Sequence, residues 1–375
     1  MIRILIIATI SLCSILGMGQ TKPLEIGEVH FLKSTVLNED RQIAIWTPED
    51  YKNTDKKYPV LYLLDGEWNF RFVSALADKL ASSGDIPQII VVGIINNNRS
   101  KDLTPPGPAD NKNSFGGGEE FLRFIETELQ PWVTSTFRTH PYRILAGHSF
   151  GGLFSIYSMM ARPTAFEAFI ALSPSLGRNN EQAVEQAVEF FNQNKSYAEC
   201  LYLAVGNEGG YTLKSSQKFN NIIQDSSPPK MRYTYENLEN ENHASITTTG
   251  FLNGLRFIYD GFNIEELSDL DEIFLCEEYY QNLSKRYGYK IRVPEEKYQE
   301  FVLEQMALRE FDYALFLLKK YKKIYPESIS QMYLFATFYL QKGEFKKAKE
   351  YYKRLRQDGF EDENTERIWE QLKDF

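Results

Sequence analysis

The hexapeptide Gly147-His148-Ser149-Phe150-Gly151-Gly152 follows the pattern G-x-S-x-G, which sets a serine on a sharp strand-to-helix turn with its hydroxyl exposed. The run before it, Ile144-Leu145-Ala146, reads as a short buried strand, and the small residues after it open an apolar helix. Small residues are needed there because the turn is strained and the helix passes close to the strand. A serine hydroxyl is a weak nucleophile until a base takes its proton, and that base needs a carboxylate to orient it. On such a scaffold the chain order is serine, acid, histidine. Of four histidines, His30 and His140 precede the serine, and His148 adjoins it with its side chain expected to point away. His243, in the polar loop 241–245, follows the serine and is the expected base.

The acid should lie just past the apolar run 201–205, where Glu208 in Gly206-Asn207-Glu208-Gly209-Gly210 is the first carboxylate. Asp225 lies beyond an intervening helical stretch, while Glu236, Glu239 and Glu241 are nearer the histidine in sequence and remain alternatives, as does a serine–histidine dyad. A tetrahedral intermediate carries a negative oxygen that backbone N–H groups must meet. One donor is expected from Phe150 and the other from the loop Leu64-Asp65-Gly66-Glu67-Trp68, at the amide of Glu67 or Trp68. The glycines 116–118 are read as a flexible loop and helix start rather than an oxyanion loop.

These groups need a scaffold. Two strand patterns at 29–36 and 41–46 form a hairpin, and apolar runs at 60–64, 89–95, 144–147, 169–173, 201–205 and 231–235 follow. Helical patterns separate the later runs, at 70–80, 119–136, 153–161, 181–193 and 213–224. A hairpin followed by continuous apolar strands alternating with helices predicts an α/β fold, with a mostly parallel, eight-stranded sheet buried on both faces. The serine turn would follow the fifth strand.

From about residue 263 strand signals stop, and 301–326 and 332–357 resemble each other at roughly the ~34-residue period of a tetratricopeptide repeat. The expected domains are therefore a signal peptide at 1–19, a hydrolase domain at 20–262 and an all-helical region at 263–375. Two repeats bury too little to stand alone, so they should pack on the hydrolase domain or on a second subunit, as a brace or as a peptide-binding groove.

A net charge of −9 offers no electrostatic footprint for nucleic acid. Met1-Ile2-Arg3 and the apolar run 4–16, followed by Gly17 and Gly19, read as a secretory signal, which predicts a periplasmic or secreted protein with no stable membrane insertion after cleavage. Export permits a disulfide between Cys200 and Cys276, with two buried thiols as the alternative. No His-x-x-x-His pair, Cys-x-x-Cys pair, P-loop or dinucleotide fingerprint is present, so neither metal nor cofactor is expected.

Taken in order, Tyr58-Pro59-Val60-Leu61-Tyr62-Leu63-Leu64-Asp65-Gly66, the stretch 98–105, the serine turn, Leu172-Ser173-Pro174-Ser175 and Asn242-His243 resemble the esterase D family of α/β-hydrolases. The likeness is to the bacterial branch that includes enterochelin-type siderophore esterases, over about 26–261. It implies Ser149 as nucleophile, His243 as base, an oxyanion amide after Asp65-Gly66, and Asn98, Arg99 and Asp102 shaping the groove beside the serine. A structural Arg–Asp pair under that loop is the alternative. Substrate choice is expected from the loops around Trp68, Arg99 and Ser175, and no second Arg/Lys cluster near the motifs marks a highly anionic substrate. The family also holds feruloyl and acetylxylan esterases and acyltransferases, so fold and triad do not set the ester. The remaining expectation from another class is a binding protein acting through its helical region.

Overall fold

Strands β1 (Glu28–Ser34) and β2 (Glu39–Trp46) pair antiparallel, and the turn between them closes on Asn38 in the left-handed region. Glu128 accepts from the Thr35 and Val36 amides and the Ser34 hydroxyl, which fastens this hairpin to the body of the molecule. Strand β3 (Tyr58–Leu63) leads to helix α1 (Gly66–Ser82), then β4 (Ile90–Ile94), the short α2 (Arg99–Asp102), and α3 (Gly118–Phe124), joined through one π-turn to α4 (Gln130–Thr136). Strand β5 (Thr139–His148) runs into α5 (Phe150–Ala161), and β6 (Ala168–Leu172), α6 (Arg178–Gln193), β7 (Cys200–Gly206), α7 (Gly210–Ser226), β8 (Arg232–Leu238) and α8 (Ile246–Ile258) complete the unit. This computed structural model describes residues 25–108, 114–262, 273–357, 359 and 363–372.

The strands form one eight-stranded sheet in the order β1-β2-β4-β3-β5-β6-β7-β8, antiparallel through β1, β2 and β4 and parallel from β4 onward. The expected α/β class and strand count hold, with β5 the fifth strand and the serine at its end. Alternate residues of the central strands serve opposite faces, as the period of two requires. Leu61, Leu63, Ile144, Ala146, Ile170 and Tyr202 pack on one side with α1 and α8. Tyr62, Leu145, Phe169 and Leu203 pack on the other with α3 to α7.

Among the described residues six further helices follow: α9 (Ile273–Tyr287), α10 (Glu295–Ala307), α11 (Phe311–Ile324), α12 (Ile329–Gln341), α13 (Phe345–Gln357) and α14 (Glu363–Leu372). Helices α10 and α12 begin at 295 and 329, 34 residues apart, and each is joined to its successor by a short turn. The helices continue the core of the sheet. Ile273, Cys276, Tyr280, Leu283 and Tyr287 recur at helical spacing on the buried face of α9. Tyr287 sets its ring edge-on to Tyr142 of β5 at 5.1 Å and its hydroxyl donates to the Ile258 carbonyl. His140 stacks on Tyr289 at 3.9 Å. Cys200 and Cys276 are buried and form no disulfide. The expected signal peptide at 1–19 lies outside the described residues, and the expected boundary at 262/263 falls at the edge of 263–272, also outside them.

Candidate active site

Parallel pairing carries β5 to its last residue, where His148 sits opposite Leu172 of β6. Ser149 then turns to φ 59°, ψ −114°, a conformation that costs a non-glycine residue about 1–3 kcal/mol and persists only where its surroundings fix it. Its amide donates to Leu172 O at 2.9 Å, and its carbonyl accepts from Leu153 and Ser175. The turn leaves no room for side chains: a Cβ on Gly147 would meet the Gly151 carbonyl carbon at 2.4 Å.

Ser149 Oγ lies 3.0 Å from His243 Nε2, and His243 Nδ1 lies 2.6 Å from Glu208 Oε2. A carboxylate only accepts, so the proton is assigned to Nδ1, leaving Nε2 to receive the serine proton. The Glu208 carboxylate is 7% exposed while the His243 ring is 46% exposed, so the acid is enclosed and the base faces the cleft. The sequence-expected trio is brought together at the carboxyl ends of β5, β7 and β8. The alternatives are engaged elsewhere. Glu236 accepts from the Tyr202 hydroxyl and Asn253, and Glu241 accepts from Ser245 and Thr249 at the start of α8.

The two expected oxyanion amides sit at helix starts. Phe150 opens α5, and Glu67 follows Gly66 at the start of α1, so neither has an intrahelical acceptor. The Trp68 amide, the alternative, donates to Asp65 O at 3.1 Å and is taken. Asp65 itself adopts the left-handed conformation, φ 55°, which aims this turn.

The groove residues divide. Arg99 binds Asp65 through Nε and Nη2 and donates to His148 O at 3.2 Å, while its guanidinium lies over the rings of Trp68 and Phe150. Asp102 is buried 2.8 Å from Arg41, so a structural Arg–Asp pair does exist under the loop, with Arg41 rather than Arg99 as its cation. Burial raises the Asp102 carboxyl and the Arg41 charge opposes the rise. Asn98 caps α2, its side chain accepting from the Lys101 amide. Ser175 faces the site, its Oγ 3.3 Å from Ser149 Oγ. Trp68 is 66% exposed on the rim.

Three features escape the sequence. His148 does not turn away: its ring packs on His243 with centroids 4.6 Å apart, and burial pushes its imidazole down to about 4. Arg178 stacks over Phe115 at 4.4 Å, and Phe115 meets Phe150, so a second guanidinium joins Arg99 around the elbow. Ser173, the last residue of the expected run 169–173 and one past the end of β6, donates to Glu208. Leu172-Ser173-Pro174-Ser175 marked this loop as a motif, but no spacing rule links it to a carboxylate three dozen residues on. Among the described residues no group of three His, Cys, Asp or Glu could hold a metal ion, and no helix is long and apolar enough to cross a membrane.

The chain is 30% identical over 159 residues to the siderophore triacetylfusarinine C esterase of Aspergillus fumigatus, a match covering 39% of this chain and 54% of that protein. It is 31% identical over 189 residues to the ferri-bacillibactin esterase BesA of Bacillus subtilis, covering 45% and 65%. The chain thus spans just over half the length of the first relative and about two thirds of the second. The crystal structure of an IroE-like serine hydrolase from Shewanella oneidensis superposes with a TM-score of 0.66 at 26% identity, covering 80% of this chain and 99% of that one. A family model described as putative esterase matches residues 34–245, more than half the chain and the whole stretch from the first hairpin to the histidine loop. The serine elbow, the buried sheet that presents it and these likenesses agree: the chain belongs to the putative esterase family.

Proposed function

We propose that this protein is an exported esterase that opens a bulky, siderophore-type ester through an acyl-enzyme on Ser149. Ser149 Oγ attacks the ester carbonyl while His243 Nε2 takes its proton and passes it to the leaving alcohol. Water, activated by the same nitrogen, then releases the acid and restores the serine. Glu208 keeps the Nδ1 proton in place and stabilises the imidazolium that forms. The amides of Phe150 and Glu67 receive the oxyanion. The observation that carries the mechanism is the unbroken line of hydrogen bonds from Ser149 through His243 to Glu208.

The siderophore class draws support from the names of the Aspergillus and Bacillus relatives. It also suits the rim, where two guanidinium groups lie on the faces of Trp68, Phe150 and Phe115. Such a rim favours an acyl group that is flat and electron-rich, and its openness at Trp68 suits a large one. Export rests on the charge and hydropathy pattern of residues 1–19, and the hydrolase and helical units are read as 20–262 and 263–375. The helical region is read as a brace, because its α9 face completes the core beneath β5.

A fluorophosphonate probe tests the chemistry. One adduct on Ser149, absent in Ser149→Ala, is expected, and intact mass without an adduct on folded protein overturns the mechanism. An ester panel tests the class. A trilactone siderophore should give a higher kcat/KM than feruloyl sugars or aryl acetates, and the reverse order would assign the carbohydrate esters instead.

A further inference from the structure

Glu208 stands on a compliant loop. Gly209 and Gly210 follow it at φ 65° and 61°, with open space where side chains would be, so its own backbone holds the carboxylate weakly. Ser173 is the opposite case. It follows the last residue of β6, is fully buried, and adopts φ 39°, a left-handed conformation that serine rarely takes. Its amide donates to Ala204 O at 2.7 Å, and its Oγ accepts from the Gly206 amide at 3.3 Å. With that lone pair used, the hydroxyl proton is directed to Glu208 Oε1, while Oε2 takes the histidine proton. The two carboxylate oxygens therefore have one donor each: a side chain fixed by the sheet and the catalytic imidazole.

We infer that Ser173 is a positioning residue for the reaction: it pins the Glu208 carboxylate to the end of β6 and so sets the angle at which it meets His243. The inference rests on the Ser149–His243–Glu208 reading of the site. Without the hydroxyl, Oε1 is an enclosed oxygen lacking its donor, which is costly to leave buried. The carboxylate then rotates toward solvent, and the Nδ1 proton of His243 loses its fixed acceptor.

The test uses Ser173→Ala and Ser173→Gly, assayed on an aryl acetate over a pH series. Both lose the hydroxyl, but glycine accepts φ 39° freely, so a purely conformational role would spare it. A drop in kcat of about 10- to 100-fold in both, the range seen when a supporting hydrogen bond behind a reactive group is removed, is expected with KM little changed. The acid limb of kcat/KM should differ from that of the parent, because His243 then meets a carboxylate that is no longer held in place. Glu208→Gln should lose more, and adding Ser173→Ala to it should cost little further, because the partner is already gone. If Glu208→Gln retains activity, the triad reading fails. If Glu208→Gln is crippled while Ser173→Gly keeps its kcat and its acid limb, the triad stands and the role of Ser173 is overturned.

Discussion

Arg99 grips Asp65 through both carboxylate oxygens, at 2.7 and 2.9 Å, and its Nη2 also reaches the carbonyl of His148. These are the residues that lead into the two loops proposed to carry the oxyanion amides, since Asp65 precedes Gly66-Glu67 and His148 precedes Ser149-Phe150. One guanidinium therefore spans both loops and fixes the distance between the two amides. Arg99, expected to shape the groove, is thus also a clamp, and its guanidinium lies over the ring of Trp68.

A clamp and a substrate contact predict different kinetics. Arg99→Lys keeps the charge but cannot bind two oxygens in a planar fork. Removing a single oxyanion donor outright lowers kcat by about 100- to 1000-fold, which bounds the effect from above. Steady-state assays of Arg99→Lys on an aryl acetate should give a loss in kcat of about tenfold or more with KM nearly unchanged. A rise in KM at constant kcat would return Arg99 to substrate binding.

The division between what the chain reveals and what it hides follows from the range of each signal. The elbow at Ser149 and the sheet beneath it were legible because G-x-S-x-G and apolar runs are local patterns. His243 was reached by elimination among four histidines, and Glu208 by its place after a strand. Arg99–Asp65, Arg41–Asp102 and Ser173–Glu208 each join residues more than thirty positions apart, and a pairing of that kind leaves no periodicity to read. Asp102 shows the consequence. The sequence suggested an Arg–Asp pair beneath the loop, and only the antiparallel pairing of β2 with β4 shows that the arginine is Arg41.

Two histidines make stability depend on pH. His140, stacked on Tyr289, and His148, packed on His243, are both pushed down to about 4 by burial. An imidazole in the unfolded chain takes its proton near 6.5, so between roughly pH 6.5 and 4 the unfolded state binds more protons than the folded one. The stability they contribute is therefore present above that window and is lost as the pH falls through it. The slope reaches at most about 1.4 kcal/mol per pH unit for each imidazole. Asp102 has the opposite sign, because burial raises its carboxyl and the folded state loses that contribution as the pH rises through the raised value. Urea midpoints at pH 7, 6, 5 and 4.5 should fall steadily, and His140→Phe, which retains an aromatic ring against Tyr289, should fall less. Parallel curves for the two proteins would show that His140 does not titrate in this window.

The helices after the sheet raise the question of brace or binding groove, and Tyr287 separates the two. Its ring fills the space between Tyr142 of β5 and Tyr259 after α8, at 5.1 and 5.4 Å, and its hydroxyl donates to the Ile258 carbonyl. Arg286 beside it donates to the carbonyl of Asp260. Truncating a fully buried aromatic costs about 3–5 kcal/mol, because both the transfer energy and the cavity count. The contact lies beneath the amino-terminal half of β5 at Tyr142, while Ser149 lies just past its far end, seven residues or about 23 Å along the strand. Tyr287→Ala should therefore lower the midpoint of thermal unfolding, read on the hydrolase domain by loss of esterase activity after heating. At 25 °C, where the fold persists, kcat and KM should be those of the parent. If α9 were only a docking element for another protein, the midpoint for loss of activity would not move, because unfolding of that helix would leave the sheet and the elbow intact.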